Sequence, residues 1–298
     1  MNNYKYYLTF DVGIKNLAYC LARYDTSKNI TEGLDIINWG ILDVSYKPLI
    51  CKNIVNKRKK CNTNSIYYLL KDDVKDTLIN HTDPTNLIGY CQNHANNLKL
   101  IDKKTHRALF RVSKNSIFAN NFNIQMERLL KALEDFYNNK LMSLYHTVNT
   151  EHEALNNTEY FLSNLEIYIE NQPVFKNPIM KTISIGILTF FILKKVTYGN
   201  KIKSVNFISA SDKTHLSFIS SMNKSLKINP KPNVDFKVYA ERKAFAIDMT
   251  NQIVQNLNKS IFNIVSSINY DSCTKKDDMA DTLIYVVCTI LKQHKFTN

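Results

Sequence analysis

Residues 6–16 read YYLTFDVGIKN. Aromatic, aliphatic and β-branched positions run from Tyr6 to Phe10 and lead straight into Asp11-Val12-Gly13, which spells a strand that ends in a turn. Its last residue is a carboxylate. Placing that charge at the end of an apolar strand is costly unless a cation meets it. Leu17–Tyr24 and Ile36–Val44 repeat the strand pattern, so the chain is expected to open as a three-stranded antiparallel meander.

Further along, Met126, Leu129, Leu133, Phe136 and Tyr137 recur at three- and four-residue steps from Phe122 onward, which predicts a long amphipathic helix. Leu165–Ile169 is a short apolar run closed by Glu170 and reads as a buried strand. Pro173 and Pro178 punctuate the loop after it. A helix over Met180–Lys195 and a strand over Val205–Ile208 follow. Residues 211–238, with Pro230 and Pro232, read as a polar, lysine-rich loop, and two more helices are expected near 239–258 and 277–293. The fold class is therefore α/β: a mixed central sheet flanked by helices on both faces, forming one domain over 1–298. Residues 47–114 break its rhythm. They are basic, rich in Asn and contain three of the six Cys, and they read as an insertion within that domain.

The formal net charge is +13, unevenly distributed. Residues 47–114 carry a net +9 and residues 194–243 a net +8, which leaves −4 on the rest. Two basic segments on a mildly acidic body suit a protein that grips a polyanion. The N-terminus enters a tyrosine-rich strand and shows no secretory leader. No stretch approaches the roughly 18 apolar residues that span a bilayer. The longest, Ile183–Leu193, is broken by Ser184, Gly186 and Thr189. No membrane association is expected, and the six Cys are expected to be thiols or metal ligands in place of disulfides.

Four carboxylates stand where secondary structure fixes them. Asp11 and Glu170 close strands. Asp278 and Asp281 open the last helix three residues apart, on one face. Carboxylates that converge repel one another unless a divalent cation neutralises them, and Mg²⁺ prefers such hard oxygen ligands. Each position also has an ordinary reading: Asp11 as a turn residue, Glu170 as a polar strand end, and the helical pair as acids that complement the helix dipole. Their joint order is what points to a metal site.

Three strings carry a resemblance: FDVGIKN at 10–16, IYIENQP at 167–173 and KKDDMADTL at 275–283, with KNPIMKTISIGILTFF at 176–191 between the last two. Together they resemble the RuvC-like branch of the RNase H-like superfamily, above all the poxvirus and related large-DNA-virus Holliday junction resolvases, with kinship to the fungal mitochondrial resolvases. The resemblance implies an RNase H-like fold and a homodimer that resolves four-way and other branched DNA by paired, symmetric Mg²⁺-dependent nicks. It implies 5′-phosphate and 3′-hydroxyl products and a role in DNA recombination and repair. It aligns Asp11, Glu170, Asp278 and Asp281 with the family's metal-binding acids, two ions per site. Asp277 is set aside because the family's pair has i, i+3 spacing. The family also uses a basic residue near the site. Lys243, in YAERKAFAI at 239–247, is the first choice and Lys213 the second. A viral origin would place the activity inside the cell at a replication site, a cytoplasmic factory or the nucleus. Two competitors stay open: another RNase H-like nuclease, such as one that cuts RNA–DNA hybrids, and a non-catalytic zinc-dependent DNA-binding protein.

Within the insertion, Cys51, Cys61, Cys91 and His94 form the pattern C-x9-C-x29-C-x2-H. The terminal C-x2-H is a chelating pair and Cys₃His is a structural zinc set, although first spacings of two to four are more usual. The segment lacks an apolar pattern, and structural zinc supplies roughly 10 kcal/mol or more toward folding. Ser65–Ile79, in the long gap, has room for a helix or hairpin. Lys57-Arg58-Lys59-Lys60 and Lys103-Lys104 to Arg107 are expected to contact DNA phosphates, with a steep salt dependence. Tyr67-Tyr68 reads as core packing ahead of base stacking. Cys20, Cys273 and Cys288 read as packing residues.

Overall fold

The computed structural model describes residues 3–44, 51–55, 59–63, 65, 67–70, 87–97, 110–111, 122–143, 157–175, 177–197, 199, 201–229, 234–257 and 270–294. The chain divides into two compact units: Met1–Val44 with Leu129–Asn298, and Ser45–Arg128.

The first unit is built on a five-stranded sheet. Its strands are β1 (Tyr4–Asp11), β2 (Asn16–Asp25), β3 (Leu34–Asp43), β4 (Leu165–Asn171) and β5 (Ser204–Ser209), in the order β5-β4-β1-β2-β3. The opening meander is antiparallel, whereas β4 runs parallel to both β1 and β5. This is the mixed sheet that the sequence led us to expect. Gly13 lets β1 turn back into β2: a Cβ there would stand 2.3 Å from the carbonyl oxygen of Asn16. Any other residue would force the turn open.

Side chains alternate along β1, so the two faces of the sheet meet different helices. Phe10 packs against Phe136 and Phe191 at ring separations of 6.0 and 5.4 Å. Phe136 begins a π-helical stretch, Phe136–Leu141, that continues helix α1 (Phe122–Asp135). Phe191 lies on α2 (Pro178–Thr197), which starts with proline at its first position and with Asn177 Oδ1 accepting the amide of Met180 at 3.1 Å. Tyr7, Thr9 and Asp11 point to the opposite face. There the core contains Trp39, Met249 and Leu283, from β3, α4 (Tyr239–Asn256) and α5 (Lys276–Gln293). Helix α5 is buried at every position from Met279 to Leu291 except Asp281. A helix apolar on nearly all sides belongs in a core.

One expectation needs correction. Residues 211–238 are not all loop, because Leu216–Leu226 forms helix α3, preceded by a 3₁₀ turn at Asp212–Thr214. Phe218, Met222 and Leu226, four residues apart, are buried on one face of α3. The intervening Ser, Asn and Lys diluted that stripe. A short helix at Asn157–Ser163, whose Phe161 and Leu162 are buried, also went unread.

The second unit contains a short hairpin of Ile54–Val55 with Lys59–Lys60 and a three-stranded antiparallel sheet in the order Leu87–Tyr90, Tyr67–Leu70, Phe110–Arg111. A helix at Gln92–Asn97 follows the Leu87–Tyr90 strand. Tyr67 is buried and its hydroxyl donates to Gln92 Oε1 at 3.1 Å, in keeping with a packing role. Lys57, Arg58, Lys103, Lys104, Arg107 and most of the gap after Leu70 lie outside the described residues.

Candidate active site

Sheet register brings the first two acids together. Thr9 lies opposite Tyr168 and Phe10 opposite Ile169, so Asp11 and Glu170, the next residues on adjacent parallel strands, end side by side. Both share the face of Thr9, onto which α5 packs. Thr9 Oγ1 donates to the carbonyl of Thr282 at 2.8 Å and sets the height of that helix. Asp278, Asp281 and Tyr285, at i, i+3 and i+7, then face the strand ends. The third parallel strand, β5, ends in the 3₁₀ turn that carries Lys213. Ligand sites in open α/β sheets form at such carboxyl ends of parallel strands.

The result is an open cavity of about 630 Å³ lined by Asp11, Glu170, Asp277, Asp278, Asp281, Lys213 and Lys243 among others. Glu170 is 6% exposed and held at both oxygens. The Tyr285 hydroxyl donates to Oε1 at 2.9 Å, and the Gln172 amide donates to Oε2. Lys213 donates to Asp281 Oδ2, and both side chains are mostly buried. The other oxygen, Asp281 Oδ1, is buried with no hydrogen-bond partner among the described residues.

These carboxylates crowd one another. Burial pushes Asp11 well above the usual carboxylate range, and the nearby charges of Glu170 and Asp281 push it further, against the pull of Lys213. Asp281 is raised by burial and by Glu170, with Lys213 again opposing. Burial alone would lower Lys213, yet Asp281, Asp11 and Glu170 together hold it above the ordinary lysine value. Asp11, Glu170 and Asp281 thus set three negative charges against one ammonium when all are ionised. Two charges remain uncompensated.

All four acids anticipated from the sequence line this cavity, and the two lysines have separate partners. Lys213 sits inside the carboxylate cluster, whereas Lys243, the first choice from sequence, pairs with Asp277 and lies over the Tyr239 ring. β5 delivers Lys213 to the strand ends, while α4 brings Lys243, the more exposed of the two, to the same cavity. Asp277, set aside for its spacing, is a member of the cavity. Burial opposes its ionisation, but the Lys243 ammonium paired with it keeps it below the usual range. Burial and then Asp277 push its neighbour Asp278 up to about 6. Sequence reasoning missed Tyr285 and Gln172. The first lies one helical turn beyond Asp281 and the second two residues beyond Glu170, so spacing alone offered a signal for both.

The cysteine pattern also comes together, in the second unit. Cys51 precedes the Ile54–Lys60 hairpin and Cys61 follows it. Cys91 joins the Leu87–Tyr90 strand to the next helix, whose first turn carries His94. One ligand atom from each of the four lies within 4.8 Å of all the others. Cys20 and Cys288 are buried in the first unit, and Cys273 Sγ accepts the amide of Lys275 at 3.4 Å.

No protein-family model matches the chain. It is 24% identical over 326 residues to an uncharacterised protein, L451, of Acanthamoeba polyphaga mimivirus, covering 93% of this chain and 72% of that one. Among solved structures it is similar to the yeast mitochondrial Holliday junction resolvase Ydc2, with 13% identity, a TM-score of 0.39, and coverage of 97% of this chain and 83% of the other. Neither is a poxvirus protein.

Proposed function

We propose that this chain is a structure-selective endodeoxyribonuclease that resolves four-way and other branched DNA by divalent-metal-dependent phosphodiester hydrolysis. The observation that carries this reading is the meeting of Asp11, Glu170 and Asp281, from two strands and a helix, around one lysine. If all three ionise, two negative charges are left over, and Asp281 Oδ1 has no hydrogen-bond partner among the described residues. An all-oxygen donor set of this kind fits Mg²⁺. Asp11, Glu170, Asp278 and Asp281 would hold it. When bound, such ions neutralise the acids, make water more acidic and stabilise the leaving oxygen.

The chain's own residues do the rest. Tyr285 and Gln172 fix both oxygens of Glu170, so its carboxylate keeps one orientation. Lys213 offers an ammonium, a compact point charge, beside the position that a scissile phosphate would take. Lys243 and Arg242 add positive charge to the same cavity. The net +9 of residues 47–114 and +8 of 194–243 supply the phosphate affinity a DNA enzyme needs. The homodimer with paired nicks, and action at a viral replication site, rest on the sequence resemblance alone.

End-labelled four-way junction, linear duplex and RNA–DNA hybrid, each incubated with Mg²⁺ or with chelator, test the substrate class. Cleavage should require Mg²⁺, appear as paired nicks near the branch point, and favour the junction over the hybrid by at least about tenfold. Preferential cutting of the hybrid would replace the junction reading. Cutting unaffected by chelator would remove the metal from it.

A further inference from the structure

We infer that Cys51, Cys61, Cys91 and His94 form a closed, structural zinc site that organises the second unit, independently of the nuclease reading. The distances are those of a single tetrahedral ion. Bond lengths of about 2.3 Å to sulfur and 2.0–2.1 Å to nitrogen put tetrahedral N···S edges near 3.6 Å and S···S edges near 3.8 Å. His94 Nδ1 lies 3.4 Å from Cys51 Sγ and 3.3 Å from Cys91 Sγ. Thiolates of an iron–sulfur cluster are spread over several irons and stand farther apart. Three soft sulfurs and an imidazole also select against the hard cations suited to the carboxylate cavity.

The backbone around the site brings the cysteines together. Crossed backbone bonds, Cys51 N to Thr63 O and Cys61 N to Asn53 O, both 2.9 Å, hold the two cysteines together. Lys52 N to Gly89 O, also 2.9 Å, ties this hairpin base to the strand that leads into Cys91.

The role follows from what is packed there. The three cysteines are buried, at 3, 8 and 6% exposure, and with Tyr90 they make up a core cluster of this unit. Metal ligation joins four points of the chain at this cluster. Four protein ligands leave no position for substrate, so the ion is structural and not catalytic.

The full-length chain, purified without added metal, should contain about one zinc per molecule by mass spectrometry. Titration with a mercurial should release that zinc as three thiols react, and Co²⁺ in its place should give the intense visible bands of a tetrahedral thiolate site. Cys91→Ser should lose the zinc, whereas Cys273→Ser and Asp281→Asn should keep it. If Cys91→Ser does not accumulate, the native chain suffices: chelation should expose three further thiols and open proteolysis within 45–128. Zinc retained by Cys91→Ser, iron in place of zinc, or three thiols that react equally with and without chelator would overturn the inference. Zinc bound by a chain that cuts no DNA would leave this inference standing and defeat the nuclease reading alone.

Discussion

Glu170→Gln is expected to lower Mg²⁺-dependent nicking of a four-way junction about 10³-fold, equivalent to about 4 kcal/mol, because loss of a metal-binding carboxylate forfeits charge stabilisation of that order. Glutamine keeps the side-chain shape and still accepts the Tyr285 hydroxyl, and Gln172 can turn its amide over to present its oxygen to the new NH2, so the strand end should not move. Junction binding should change by less than about twofold, since the phosphate contacts of the basic segments are untouched. The fold should become more stable, by about 1 kcal/mol, because one of three crowded negative charges is gone and active sites trade stability for function. Tyr285→Phe removes only a hydroxyl from the same carboxylate. Such supporting contacts are worth about 10- to 100-fold in a metal site, so its loss of rate should fall between those of the native chain and Glu170→Gln. Nicking rates, junction affinity and urea midpoints measured on the three proteins check the set. Equal nicking by native and Glu170→Gln protein would take Glu170 out of the mechanism.

Trp39→Ala should lower the unfolding free energy by about 3–5 kcal/mol, the range for removing a large buried aromatic. Trp39 is 2% exposed and stacks on Tyr270 with ring centres 4.5 Å apart. Its indole N–H donates to the carbonyl of Met279 and to Thr282 Oγ1, each at 3.0 Å. Those two residues flank Asp281, so the indole on β3 pins the turn of α5 that faces the strand ends. Trp39→Phe keeps most of the packing and loses the two bonds, and should cost about 1–3 kcal/mol. The chain has a single Trp, so circular dichroism in urea is the suitable probe. A loss below about 1 kcal/mol for Trp39→Ala would show that α5 is anchored elsewhere.

Much of this architecture was legible in the sequence because its signals are local. Strand alternation in Tyr4–Asp11, the apolar run before Glu170 and the three- and four-residue steps of the Phe122–Asp135 helix each lie within one element. Asp11 and Glu170 could be picked out because a carboxylate that ends an apolar strand is conspicuous, whereas Asp278 and Asp281 stood out only through their place in the family resemblance. Pairing across elements was not legible. Lys213 and Lys243 look alike in sequence, and only the register of β4 with β5 puts the first beside Asp281. Asp277 fell to a spacing argument that took no account of Lys243, 34 positions upstream, as its partner. Helix α3 was lost because its three buried positions are separated by Ser, Asn and Lys. The Cys₃His cluster departs from a spacing rule for a similar reason. Their separations of nine and twenty-nine are set by a hairpin and a strand pair, which bring Cys51 and Cys61 up to Cys91 through backbone hydrogen bonds.

Soaking crystals of the native chain in Mn²⁺ and recording its anomalous scattering is the most direct test of the central claim. A peak bounded by the carboxylates of Asp11, Glu170 and Asp281, absent from crystals of Asp281→Asn, is the predicted result. Saturating Mn²⁺ with no peak between these three side chains would contradict it.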